Sequence, residues 1–240
     1  PYVGSSAFTH KGGLHASAVA KVEESYQHVA PQLIGNKNQI LISELAGRAN
    51  ITHKLKELGL DMSVSADGTR ALLNEVKERE NRGFQYEDAE ASFELLVRRS
   101  IDGYLPPFEL VDFKVMAEQR QRESKLLEHG YIQSEATVKV QVSGEVMHTA
   151  AEGNGPVNAL DNALRKALLR FYPSLEIVRL ADYKVRVVDQ GAGTEAMVRV
   201  VIESTDSEHR WRTVGSSENI IDASWMALAD SFEYWLTKWA

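Results

Sequence analysis

Apolar residues along this chain follow two periods, and the C-terminal half shows both clearly. Val138, Val140 and Val142 alternate with Thr137, Lys139 and Gln141, the period-two pattern of a strand with one packed and one wet face. From Pro156 the period changes. Val157, Leu160, Leu164, Leu168 and Phe171 fall at helical spacing, and proline suits a first helical turn because the N–H it lacks would be unpaired there. Ile221, Ser224, Leu228 and Phe232 trace a second helical stripe, with Asn219 or Asp222 near its start to accept free amides.

These stretches belong to two copies of one unit. Asp112-Phe113-Lys114-Val115 recurs as Asp182-Tyr183-Lys184-Val185. Glu135-Ala136-Thr137-Val138-Lys139-Val140 then recurs as Glu195-Ala196-Met197-Val198-Arg199-Val200. A third segment, Glu145 to Ala150 against Trp211 to Val214, precedes a Gly/Ser/Asn turn and the helical stripe in both copies. Each copy reads as βββα. Three strands and one helix cannot cover their own apolar faces, so the copies should pair about a pseudo-twofold axis. The expected fold class is α+β, with repeats over about residues 108–172 and 180–239.

Upstream, the texture from Ala16 to Arg99 is helical. Leu41, Leu45, Leu55 and Leu58 supply apolar positions, and Gly59 and Gly68 punctuate them. Ala71 to Arg82 predicts a charged surface helix, and Glu87 to Arg99 a further helix carrying Ala91, Leu95 and Leu96 inward. Asp102-Gly103-Tyr104-Leu105-Pro106-Pro107 then breaks regular structure, dividing a helical region over 1–103 from the duplicated module over 104–240.

Composition narrows the function. At 240 residues, 43% hydrophobic and 25% charged, the chain is ordinary globular protein, long enough for one large domain or two small ones. The absence of cysteine excludes disulfide scaffolds, Cys-ligated zinc, iron–sulfur clusters and thiol nucleophiles. A formal charge of −7 makes nucleic acid a poor partner. No apolar run approaches the roughly 20 residues that span a bilayer, so no membrane partner is expected. The chain starts Pro1-Tyr2-Val3 without an initiator methionine or leader, and is expected to be cytoplasmic and part of a longer protein.

Three features could carry chemistry. His10-Lys11-Gly12-Gly13-Leu14-His15 offers two histidines around a flexible pair, which could bind a metal, transfer a proton or serve structure alone. The metal reading lacks a nearby carboxylate, the closest acids being Glu23 and Glu24. The turns Gly153-Asn154-Gly155-Pro156 and Gly215-Ser216-Ser217 lead into helix starts. Free amides there favour a carboxylate or phosphate, or the glycines only permit tight turns. Trp211, Trp225, Trp235 and Trp239 could form an aromatic cage, though packing is the commoner use of so much ring area. His28, His53, His129, His148 and His209 stand isolated and read as structural or surface residues.

Three segments together resemble a known family. They are Ala7-Phe8-Thr9-His10-Lys11-Gly12-Gly13-Leu14-His15-Ala16-Ser17-Ala18-Val19, Ser43-Glu44-Leu45-Ala46-Gly47-Arg48-Ala49-Asn50-Ile51 and Gly153-Asn154-Gly155-Pro156-Val157-Asn158-Ala159-Leu160. They are similar to the region after the catalytic barrel in the 2-isopropylmalate synthase and citramalate synthase family. The ending Thr213-Val214-Gly215-Ser216-Ser217-Glu218-Asn219-Ile220-Ile221-Asp222-Ala223-Ser224-Trp225 is most similar to the citramalate branch.

The resemblance implies linker subdomains and a duplicated regulatory domain of an acyltransferase that condenses acetyl-CoA with a 2-oxo acid, pyruvate in the citramalate branch. A divalent metal is then expected in a barrel outside this sequence, with no cofactor in this portion. The implied assembly is a homodimer with isoleucine or leucine as feedback effector. His15, and Tyr26 with a one-residue shift in spacing, match the family's proton-transferring histidine and tyrosine. The effector is expected at the two turns, with Gly153, Asn154, Gly155, Pro156 and Asn158 in the first and Gly215, Ser217, Asn219 and Asp222 in the second. A ligand-free dimerisation module and a self-sufficient enzyme using His10 and His15 are the competing expectations.

Overall fold

In the computed structural model the chain divides into two units, residues 1–104 and 105–240. The structure describes residues 3–10, 18, 22, 29–36, 39–40, 48–61, 63–120, 131–188 and 193–240.

In the first unit β1 (Thr9–His10) pairs in parallel with β2 (Gln39–Ile40). Three helices follow: α1 (Arg48–Glu57), α2 (Ala66–Asn81) and α3 (Glu90–Arg99). Gly68 does not interrupt the helical run. It sits in the first turn of α2, where its N–H donates to the Oγ of the capping residue Ser65 at 3.0 Å. Gly59 does terminate a helix, at φ +69° in the left-handed region that glycine enters without strain. Ile51, Leu55, Leu72, Val76, Phe93 and Leu95 are buried, and the Phe93 ring meets Tyr86 edge-on at 6.1 Å. Lys54 is also buried; its ammonium reaches Glu90 at 2.7 Å and Glu57 at 3.1 Å, so a neutralised charge ties α1 to the start of α3. Burial alone would lower its pKa, but the two carboxylates raise it.

The second unit is built from two βββα copies. The first comprises β3 (Glu109–Arg120), β4 (Tyr131–Val142), β5 (Glu145–Gly153) and α4 (Pro156–Leu168). A 3-10 turn, Pro173–Ile177, leads to the second: β6 (Arg179–Val187), β7 (Val198–Thr205), β8 (Arg210–Ser217) and α5 (Ile220–Trp239). Each copy forms an antiparallel sheet in chain order, β3-β4-β5 and β6-β7-β8, with its helix against the second and third strands. The helix-facing row of β4, Ala136, Val138, Val140 and Val142, is buried, as are Leu160, Leu164 and Leu168 of α4. The two periods seen in the sequence therefore meet in one core.

Hydrogen-bond register identifies which residues are equivalent. Both first strands carry an irregularity at the same place, between Leu110 and Asp112 and between Leu180 and Asp182. Asp112 lies opposite Lys139, which lies opposite His148; Asp182, Glu203 and Arg212 form the corresponding row. Thr149 donates to the Ala163 carbonyl at 2.7 Å, and Thr213 repeats this bond to Ala227 at 2.6 Å. Val138 therefore answers to Ile202, not to Val198 as the matching Glu-Ala pairs in the sequence imply. The slip arises because the paired strands are 12 and 12 residues long in the first copy but 9 and 8 in the second.

The tryptophans pack rather than form a cage. Trp211 Nε1 donates to Ser231, Trp235 Nε1 donates to the Asp206 carboxylate at 2.9 Å, and Trp239 stacks on His209 at 4.4 Å. Asp206 also takes the backbone N–H of Glu208 and His209, clasping the β7–β8 turn to the end of α5. His209, far from isolated, shares the other Asp206 oxygen at 3.0 Å.

Candidate functional site

The two helix starts singled out in the sequence differ in the structure. At α4, Gly153 closes β5 so near the helix that a Cβ there would lie 2.4 Å from the Ala159 nitrogen. That glycine is required by close packing of strand on helix. Gly155, just before Pro156, has open space around it and an extended φ of −169°, so nothing local demands glycine. No side chain caps α4. Asn158 Oδ1 instead turns back to accept the Asn154 N–H at 3.1 Å. The first-turn amides of Val157 and Asn158 remain without a capping side chain.

The second start is built otherwise. Gly215, Ser216 and Ser217 are not a turn; they are the last residues of β8. Gly215 lies against the helix, where a Cβ would come within 2.0 Å of the Ala223 carbonyl oxygen. The register aligns Ser217 with Gly153 and Asn219 with Gly155. Asn219 Oδ1 accepts the Ile221 N–H at 2.8 Å, Ser217 Oγ accepts the Asn219 N–H at 3.1 Å, and Asp222 adds a carboxylate to the first turn. The positive end of α5 is thus answered by the chain's own groups.

A cavity of about 610 Å³ borders the uncapped start. Val157, Asn158, Asp161 and Arg165 of α4 form one wall. Glu176 and Val178 of the connecting segment and Arg179, Leu180 and Tyr183 at the start of β6 form the other. Asn158 is the one residue of the sequence-derived list that lines it; Gly153, Asn154, Gly155 and Pro156 lie immediately before that wall, and Gly215, Ser217, Asn219 and Asp222 belong to β8 and α5.

The sequence patterns do not single out Asp161 and Arg165, since an i,i+4 acid–base pair is commonplace on a helix surface; their place at the edge of the apolar stripe of α4 was the available signal. They are 3.3 Å apart and mostly buried, with side chains 16% and 20% exposed. Arg165 is further committed to the carbonyls of Leu175 at 3.1 Å and Val178 at 2.9 Å, and lies over the Phe232 ring at 4.9 Å. Burial raises the pKa of Asp161, and Arg165 offsets part of that rise. On the opposite wall, Ser224 Oγ donates to Ile220 O at 2.6 Å, so the Tyr183 hydroxyl donates to Ser224 at 2.7 Å, which orients its ring. The cavity thus combines an acid, open helix amides and an apolar lining of Val157, Val178 and Leu180. Such a set complements a small molecule bearing an ammonium, a carboxylate and an aliphatic side chain.

His15 and Tyr26 lie outside the described residues, as do Gly12, Gly13 and the 41–47 segment; of His10 only the backbone, in β1, is described. Among the described residues no group of three or more His, Asp or Glu side chains could hold a metal, and no helix is long and apolar enough to cross a membrane.

Among the described residues the C-terminal unit is thus defined as a duplicated βββα module with a ligand-sized cavity beside a helix start. The chain belongs to the LeuA allosteric (dimerisation) domain family, whose profile matches residues 87–236. Residues 2–83 match a second profile, the homocitrate synthase post-HMGL domain-like family. Similar curated proteins include the (R)-citramalate synthases of Geobacter sulfurreducens, 53% identical over 99% of this chain, and Aquifex aeolicus, 50% identical over 99%. That of Streptomyces coelicolor is 46% identical over 99%. The alignments cover 44%, 44% and 43% of those relatives, so the chain spans under half of their length.

Proposed function

We propose that this chain is the accessory and regulatory region of an acetyl-CoA-dependent acyltransferase that condenses acetyl-CoA with pyruvate to citramalate, and that its 105–240 unit binds isoleucine as a feedback effector within a homodimer. The acyltransferase part is supported by identity of 53% and 50% along 99% of the chain to proteins named (R)-citramalate synthase. On this reading the divalent metal and the oxo-acid site belong to a barrel outside this sequence. His15 and Tyr26 serve as proton-transfer groups within hydrogen-bond reach of the reacting carbons.

The observation that carries the effector reading is the cavity at the uncapped start of α4. A carboxylate fits the amides of Val157 and Asn158, an ammonium fits Asp161, and a branched chain fits Val178 and Leu180. Binding controls activity only by favouring one arrangement of the chain over another, in proportion to the difference in affinity between them. The reading is tested by titration calorimetry and thermal unfolding of the chain with isoleucine, leucine and alanine. Saturable heat and a raised midpoint with isoleucine, weaker with leucine and absent with alanine, are expected. No heat and no shift at millimolar isoleucine or leucine would overturn it.

A further inference from the structure

The two copies of the repeat differ most where they would be expected to agree. By register, Tyr183 of the cavity wall answers to Phe113, and Val178 to Phe108. The twin threonine bonds make Asp161 answer to Trp225 and Arg165 to Ala229. The equivalent space, between β3 of the first copy and α5 of the second, is therefore bounded by Phe108, Phe113 and Trp225. It is filled: the Phe113 and Trp225 rings stack with centroids 5.2 Å apart and planes 27° from parallel. Trp225 is 6% exposed and Phe108 5%.

The apolar lining persists in the twin, but the polar features that suit the first cavity to a ligand are replaced there. The Asp161 carboxylate is replaced by an indole, the Arg165 guanidinium by a methyl group, the Tyr183 hydroxyl by hydrogen and the open helix start by the Asn219 cap. Asp222, at the position of Asn158, would repel a carboxylate approaching the helix. Core volume alone does not require all of these changes together, because the cap and Asp222 add none.

We infer that α5 and β3 enclose the closed twin of the cavity, with the Trp225 indole as its resident occupant, so that this pair of equivalent positions offers one ligand cavity rather than two. The stoichiometry rests on the effector reading; the closed twin does not. Transplanting the plug is the direct test. Asp161→Trp combined with Tyr183→Phe copies the closed twin into the open cavity, and this variant should fold, gain a blue-shifted component of tryptophan emission and lose isoleucine binding at least tenfold. Wild-type chain should bind one isoleucine per chain.

In the converse arm, Trp225→Ala opens the twin, and millimolar indole should raise the variant's unfolding midpoint without moving that of wild type. Trp225→Val serves where alanine leaves too little folded protein. Two isoleucines per wild-type chain, unchanged isoleucine affinity in the transplanted variant, or folded Trp225 variants indifferent to indole would each overturn the inference. Should wild type bind no isoleucine, the effector reading fails, and the indole arm still decides whether Trp225 occupies a closed cavity.

Discussion

Gly215→Ala isolates one contact on which the second repeat is built. The added methyl carbon would start 2.0 Å from the Ala223 carbonyl oxygen, 2.8 Å from Met226 Cβ and 3.0 Å from the Ala223 carbonyl carbon. Two of these atoms are helix backbone, so no rotamer change relieves the clash, and β8 must retreat from α5 by more than about 1 Å in a close-packed interior. Neither partner moves freely. Thr213 is bonded to Ala227 on the same helix, and β8 is paired along its length with β7. Overpacking of this kind costs about 3 kcal/mol, a fall of roughly 10 °C in melting temperature for a unit of this size. The internal control is Gly155→Ala, which meets nothing within 4 Å at an extended φ and should stay within about 0.5 kcal/mol of wild type. Scanning calorimetry with urea unfolding reads both. Gly215→Ala melting within 2 °C of wild type (a threshold of about 0.5 kcal/mol) would refute the claim that close approach selects this glycine.

Four further outcomes follow from the same geometry. Thr149→Val and Thr213→Val each remove a hydroxyl bond to a helix carbonyl, half-buried in the first copy and buried in the second, and should cost about 1 kcal/mol apiece by urea unfolding, adding nearly independently in the double variant. Ser65→Ala should destabilise α2 by about 1 kcal/mol, seen as faster amide exchange in its first turn. Lys54→Ala should cost about 2 kcal/mol through lost packing and the lost pairing with Glu90, and Lys54→Met should recover more than half, both measured by thermal unfolding. Burial alone would raise the pKa of Asp206, but the N–H groups of Trp235, His209 and Glu208 hold it far below the usual carboxylate range. With the folded value depressed, its stabilisation is complete above the unfolded carboxylate pKa near 4 and fades as pH falls below it. Asp206→Asn should therefore be less stable at pH 7 and flatten the loss of stability between pH 4 and 2; an unchanged acid slope would contradict this.

Much of the second unit was legible because periodicity reports burial directly. A strand with one wet face must alternate and an amphipathic helix must repeat near 3.6, so Val138 to Val142 and Leu160 to Leu168 announced their elements and their shared core. Period cannot report register. A slip of four residues preserves the alternation of a strand, and matching Glu135-Ala136 to Glu195-Ala196 kept every apolar residue on an apolar row while displacing the second copy. The slip is confined to the middle strands: the helical stripes, Leu160, Leu164 and Leu168 against Ser224, Leu228 and Phe232, already stand in the register that Thr149 and Thr213 share, and it is that register that sets Asp161 opposite Trp225.

Glycine misled for a related reason. Gly153 and Gly215 both answer to a helix pressing on a strand, a tertiary cause with no local signature, and they do so two register positions apart. The open amides of α4 come from what its start lacks, a capping side chain at Gly155, whereas α5 has Asn219 there. A glycine-rich stretch before a helix therefore marks an anion-ready start only when its last residue is uncapped. By that criterion Gly155→Asn should copy the Asn219 cap, raise the melting temperature by a degree or two through about 0.5 kcal/mol of capping, and weaken isoleucine binding in the same variant. Stabilisation with unaltered isoleucine affinity would separate the cap from the cavity and return the α4 amides to a purely structural role.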